Sequence, residues 1–141
     1  TADAQSAVTD APVLQGKRFL CAEDNALNAE ILTELLKIEG ARCTICENGK
    51  EIVDAFMQSA VGDYDMILMD VQMPVMNGYE ATRAIRESHH PLAQTIPIIA
   101  MTANAFSDDI QASFNAGMNG HVSKPVEMSV LEKAIRSIDK H

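Results

Sequence analysis

Five polar residues stand where strand-like segments of the chain end. Glu23 and Asp24 close "RFLCAED", Asp70 closes "YDMILMD", Thr102 closes "IPIIAMT" and Lys124 closes "GHVSK". Three carboxylates, a hydroxyl and an ammonium are the groups that handle a phosphoryl transfer. Brought together, the carboxylates would raise one another's pKa, and a bound cation removes that conflict. Oxygen ligands with no His or Cys nearby in sequence select a hard ion, and a shallow site with one or two direct carboxylates, waters and a phosphate oxygen suits Mg²⁺ better than Ca²⁺. An aspartate carboxylate can attack phosphorus to give an acyl phosphate. Positioning and charge stabilisation then do most of the work: the metal takes one phosphoryl oxygen, an ammonium another and a hydroxyl a third. Lys124 and Thr102 would supply the last two, with Asp70 as the group that becomes phosphorylated.

Each residue alone has a plainer reading. A strand-end Asp often only caps a turn or the next helix, and the acids of Glu23 and Asp24 would suit a helix N-terminus. Thr102 and Lys124 taken singly are ordinary surface residues. Their joint occurrence at successive strand ends outweighs these readings. For His89 and His90 the plain reading stands: a solvated loop before Pro91, not a metal site.

The elements that must position these groups follow a regular rhythm. The strand-like segments at 18–24, 41–47, 64–70 and 96–102, with a short one at 120–124, predict five strands. Between and after them lie helical patterns. In "NALNAEILTELLKIEG" the spacing of Leu27, Ile31, Leu35 and Ile38 gives an apolar face, and Gly40 gives a stop. Asn48 with Glu51 resembles a cap for a helix with Ile52, Val53, Phe56 and Met57 on its apolar side. A weakly amphipathic helix, "GYEATRAIRESHH", follows the loop after Asp70. Ser107 can cap a helix with only Ile110, Phe114 and a few alanines to bury. The last helix carries Val130, Leu131, Ala134, Ile135 and Ile138. Five strands alternating with five helices predict a doubly wound α/β domain with a parallel sheet. In the flavodoxin-like order 2-1-3-4-5, strands one and three flank the switch point, where such sheets bind ligands. The three carboxylates would meet there.

Composition narrows the alternatives. The 141 residues are one domain's worth, with 47% hydrophobic and 22% charged residues. No apolar run approaches the roughly 20 residues of a membrane helix, so direct membrane insertion is not expected. A net charge of −9 argues against nucleic-acid binding, which depends on Lys and Arg at phosphates. Three cysteines make no secreted disulfide framework and favour a reducing compartment. Cys43 and Cys46 spell C-x-x-C, yet an offset of three in a strand puts them on opposite faces, and packing is the expected role. Neither G-x-x-x-x-G-K-[ST] nor G-x-G-x-x-G is present, which disfavours nucleotide binding. Residues 1–15 read as a linker or tail and 16–141 as the domain. A chain that begins at Thr1 without a methionine reads as a piece of something longer.

The stretches "AEDN", "MDVQMPVMNG", "IIAMTAN" and "VSKP" resemble the receiver domain of two-component response regulators, over about Lys17 to Asp139. The receivers carried on hybrid sensor histidine kinases are the most similar kind. The resemblance implies a phosphoacceptor in a phosphorelay, taking a phosphoryl group from a histidine kinase or a histidine-phosphotransfer domain onto Asp70. It implies Mg²⁺, with Mn²⁺ as a substitute, bound directly by Asp24, through water by Glu23, and by Asp70 and the backbone carbonyl of Gln72. Thr102 becomes the switch hydroxyl, and Lys124 pairs with it ahead of a cis peptide to Pro125. The second switch residue of the family is an aromatic, commonly Tyr or Phe, and here it is His121. Gln72 and Asn104 fall where the family tunes acyl-phosphate lifetime, while Pro74 and Gly78 are structural. A cytoplasmic location, with a parent that is itself membrane-anchored, and a weak homodimer are further expectations. The competing functions are a pseudo-receiver that only binds partners and, less in keeping with Gln72, a small aspartate-nucleophile phosphatase. The chain is expected to assist its own phosphorylation and dephosphorylation without being an enzyme.

Overall fold

A computed structural model describes residues 14–139 apart from 74, 104–106 and 125, and without the side chains of 107–109 and 139. The strands are β1 (Arg18–Ala22), β2 (Arg42–Cys46), β3 (Met66–Asp70), β4 (Ile98–Thr102) and β5 (Gly120–Ser123). The helices are α1 (Ala26–Ile38), α2 (Gly49–Gln58), α3 (Gly78–Glu87), α4 (Ser107–Ala116) and α5 (Met128–Asp139). All strand pairs are parallel, in the order β2-β1-β3-β4-β5. This is the flavodoxin-like α/β fold that the alternating pattern predicts.

Burial explains the strand compositions. Every residue of β3 and β4 is buried, because helices cover both sheet faces and each strand must be apolar on both sides. On one face Leu20, Ile67 and Ile98 pack with Ile52 and Phe56 of α2 and with Ala81 and Ile85 of α3. On the other, Phe19, Leu68 and Ile99 pack with Leu32 and Leu36 of α1 and with Leu131 and Ile135 of α5. Each fully buried Leu, Ile or Phe contributes about 1.5–3 kcal/mol. The edge strand β2 is less buried. The packed region also takes in Leu14, which is fully buried in the second layer. A turn ties it down, with Lys17 N donating to Leu14 O and Gly16 N to Gly40 O. Residues 1–13, most of the segment read as a linker or tail, lie outside the described part.

Several expected helix faces are corrected. On α1 the residues turned inward are Ala29, Leu32 and Leu36, whereas Leu27, Ile31 and Ile38 are exposed at 64%, 49% and 76%. Met57, Phe114 and Val130 are likewise exposed, and α4 buries Ser113 and Ala116 instead. His90 does not lie in a solvated loop. Its ring stands 4.2 Å from that of Phe56, its Nε2 is 2.9 Å from Ser59 O, and its Nδ1 accepts from Leu92 N at 3.0 Å.

Helix starts are fixed by asparagines. Asn25 accepts from Asn28 N, and Asn48 accepts from Glu51 N while the Glu51 carboxylate takes the N–H of Glu47. Asn77 and Glu80 form a reciprocal capping box at the start of α3, satisfying donors that a helix terminus otherwise leaves open. Behind it, Gly78 lies so close to Asp70 that an added Cβ would stand 2.3 Å from Asp70 O. Only glycine permits that approach, and it holds the loop against the end of β3.

Candidate phosphoacceptor site

The C-terminal ends of β1, β3 and β4 and the residue after β5 surround a polar cavity of about 290 Å³. Glu23, Asp24, Asp70, Gln72, Thr102 and Lys124 all line it. Parallel ladders bring this about. Asp70 lies beside Met101 in register, and Thr102 beside Ser123, so residues at the ends of adjacent strands share one sheet edge. Backbone bonds hold the corners, with Glu23 N donating to Cys46 O, Val71 N to Met101 O and Lys124 N to Thr102 O.

Lys124 is the centre of the charge arrangement. Its Nζ stands 2.6 Å from Asp70 Oδ2 and 3.0 Å from Glu23 Oε1. The second oxygen of each carboxylate accepts a backbone N–H: Gln72 N donates to Asp70 Oδ1 at 3.1 Å, and Asn25 N to Glu23 Oε2 at 3.2 Å. Glu23 and Asp70 are each only 3% exposed. Burial pushes the Glu23 carboxyl above its ordinary range, and the charge of Asp70 adds to the rise. The hydrogen bonds from Lys124 and Asn25 only partly offset it. For Lys124, burial pulls the ammonium down, but its hydrogen bonds to Asp70 and Glu23 and the attraction of both charges leave it above its ordinary value.

Carboxylate oxygens of Glu23, Asp24 and Asp70 lie within 4.8 Å of one another. With one ammonium among them, the cluster retains two net negative charges when all four groups are ionised. A hard divalent cation fits this donor set. Beside the cluster, sharing Glu23 and Lys124 as one wall, opens a largely apolar cavity of about 330 Å³ lined by Ile31, Leu32, Leu35, Met101 and Val126.

His121 sits in β5 opposite Ala100, half-buried, and is not among the residues lining the polar cavity. Pro74, Asn104 and Pro125, with the expected cis peptide, lie outside the described residues. Sequence reasoning missed the clamp on Glu23 from the N–H of Asn25. An asparagine directly after the acid pair and three residues before Asn28, a cap position, is the signal for it. It also missed Arg86 of α3, whose guanidinium donates to Gly117 O, Ala93 O and Asn119 Oδ1. Asn119 Oδ1 in turn accepts from Ile98 N, so one side chain ties α3 to the loops before β4 and β5.

Comparison with known proteins agrees with this geometry. The family model described as "Response regulator receiver domain" matches residues 19–136. The chain is 38% identical over 123 residues to hybrid signal transduction histidine kinase I of Dictyostelium discoideum, covering 86% of this chain but 7% of that protein. Among solved structures it resembles the receiver domain of sensor histidine kinase PA1611 from Pseudomonas aeruginosa PAO1, which has a magnesium ion coordinated in its active-site cleft. The TM-score is 0.76 at 36% identity, covering 88% of this chain and 98% of that one. It also resembles a co-crystal structure of the Saccharomyces cerevisiae histidine phosphotransfer protein Ypd1 with the receiver domain of its downstream response regulator Ssk1. There the TM-score is 0.74 at 30% identity, covering 87% and 88%.

Proposed function

The chain belongs to the response regulator receiver domain family, the phosphoacceptors of two-component signalling, and from that premise we propose that Asp70 is the residue it phosphorylates. The donor is a phosphohistidine on a histidine kinase or histidine-phosphotransfer domain. The observation that carries the reading is the Lys124 ammonium bridging Asp70 and Glu23 in the cavity that Thr102 lines.

With Oδ1 of Asp70 occupied by the Gln72 N–H, Oδ2 is the attacking oxygen. Its bond to phosphorus forms as the bond from phosphorus to the donor imidazole nitrogen breaks. Lys124 leaves Oδ2 and takes a phosphoryl oxygen, and the Thr102 hydroxyl takes another. Glu23, Asp24, Asp70 and the carbonyl of Gln72 would hold Mg²⁺, which when bound offsets phosphoryl charge. His121 takes the second switch position, responding to the movement of Thr102, while Gln72 and Asn104 set the lifetime. The chain is then an acceptor that assists its own phosphorylation and dephosphorylation rather than a turnover enzyme.

The parent is a hybrid histidine kinase, of which this chain is a small part, and the domain faces the cytoplasm. Among the described residues no helix is long and apolar enough to cross a membrane. The donor seats on α1: to reach Asp70 its surface must cover this sheet edge, and on that helix Leu27 and Ile31 are exposed, Ile31 lining the apolar cavity.

The test is the intact mass after acetyl phosphate treatment, with and without Mg²⁺. One phosphoryl group should add to the wild type only with Mg²⁺, and none to Asp70→Asn. A wild type that stays unmodified at saturating donor and metal overturns the reading.

A further inference from the structure

Adjacent strands bring two of the three cysteines together, and they are not the pair that sequence spacing suggests. Cys46 packs in the layer of Ile52 and Phe56, while Cys21 and Cys43 belong to the opposite layer. The register sets Phe19 beside Cys43 and Cys21 beside Ile45, so Cys21 and Cys43 are diagonal neighbours on one sheet face. Their Sγ atoms are 3.3 Å apart, and Thr33 Oγ1 of α1 lies 3.7 Å from Cys43 Sγ. Among the described residues no third His, Cys, Asp or Glu completes a metal set with them. We propose that Cys21 and Cys43 are an oxidation site, at which a hydroperoxide oxidises Cys43 and Cys21 resolves the product to a disulfide across β1 and β2.

The two sulfurs differ as this chemistry requires. The thiolate is the nucleophile, so the attacking sulfur must be reachable and able to ionise. Cys43 is half-buried on the edge strand, and the hydrogen bond it shares with Cys21 lowers its thiol pKa. Burial opposes that shift and Thr33 reinforces it. Cys21 is fully buried, out of reach of a peroxide in solvent. Attack on the peroxide therefore falls to Cys43. Cys46 faces the wrong layer, and burial pushes its thiol up to about 11.

In the first step Cys43 sulfur bonds to one peroxide oxygen and the O–O bond breaks. Cys43 becomes a sulfenic acid, and the departing hydroxide takes up a proton as water. In the second, Cys21 sulfur attacks Cys43 sulfur and the S–O bond breaks, the departing hydroxide taking the Cys21 proton. Two thiols and one hydrogen peroxide thus give one disulfide and two waters. The sulfurs must close from 3.3 Å to about 2.05 Å. The edge strand β2, hydrogen-bonded on one side only, is free to make that shift.

The experiment treats the folded full chain with equimolar hydrogen peroxide, confirms native circular dichroism, then denatures and alkylates without reductant. The reduced protein takes three alkyl groups, one per cysteine. The oxidised protein should take one, on Cys46, with a Cys21–Cys43 linked peptide in the non-reduced map. Cys46→Ser should keep that link, and Cys43→Ser, a mild change at a half-buried site, should lose it and leave Cys21 free. Three alkylated thiols after peroxide, a link that includes Cys46, a disulfide between two chains, or Cys43 carried to sulfinic acid beside a free Cys21 would each overturn the proposal.

Discussion

Lys124 Nζ stands 2.6 Å from Oδ2 of Asp70, a residue 54 positions earlier in the chain. The contact joins the end of β3 to the residue after β5, and its partners are largely shielded, with side-chain exposures of 22% for Lys124 and 4% for Asp70. One ammonium thus compensates carboxylates that would otherwise repel. Lys124→Met should therefore lower stability by about 3 kcal/mol in metal-free buffer, the scale of breaking a buried pair. Added Mg²⁺ should recover most of that loss, because the cation replaces the missing charge. Urea midpoints in EDTA and in Mg²⁺ check this, and equal losses in both would count against a shared cation and lysine site.

Glu23 gives the opposite sign. Burial raises its folded-state pKa above the unfolded value of about 4.3. A raised carboxyl pKa favours the folded state most below the unfolded pKa, and that contribution disappears as pH rises through the folded value. Ionising the buried Glu23 therefore costs folding free energy. Glu23→Gln should be more stable than wild type at pH 7 without metal, converge with it in acid, and bind Mg²⁺ more weakly. Thermal melts across pH and a Mg²⁺ titration measure the two halves. Lys124, also raised, keeps its contribution until the pH climbs past its unfolded value of about 10.4, so it does not confuse the acidic limb.

What the sequence reveals and hides follows from the same physics. Asp70 and Thr102 are legible because each ends a run that only a doubly covered strand would need, Lys124 because it follows a short strand, and strand order does the rest. The faces of α1 are not legible. Leu27, Ile31, Leu35 and Ile38 satisfy a helical period, but so do Ala29, Leu32 and Leu36, and periodicity cannot say which stripe meets a sheet. His90 reads as a loop residue until Phe56, from another element, is placed beside it. Arg86 is hidden because most of its acceptors are backbone carbonyls, at Ala93 and Gly117, which carry no side-chain signature.

Val75 holds strain that a substitution can release. Its φ is 70°, the left-handed region, and among the described residues it is the one non-glycine residue with positive φ. A β-branched side chain is poorly suited to that conformation, and at 79% exposure it has little packing to lose. Val75→Asn should raise stability by about 1 kcal/mol, read as a shift in urea midpoint with an unchanged slope. A neutral or destabilising result would mean that Val75 makes a compensating contact in solution.

The exposed stripe of α1 separates docking from chemistry. Ile31 is 49% exposed and lines the apolar cavity that shares Glu23 and Lys124 with the acid cluster. A small phosphodonor needs only the polar cavity, whereas a phosphorylated histidine-phosphotransfer protein must bring a surface against the sheet edge. Ile31→Glu puts a charge where that surface would bury apolar area, and losing one buried side chain of this size is worth about 2 kcal/mol. At subsaturating donor, transfer from the protein should slow by roughly 10- to 30-fold, while labelling by acetyl phosphate with Mg²⁺ stays at the wild-type rate. Equal slowing with both donors would place Ile31 in the chemistry of Asp70, and no slowing with either would move the docking face off α1.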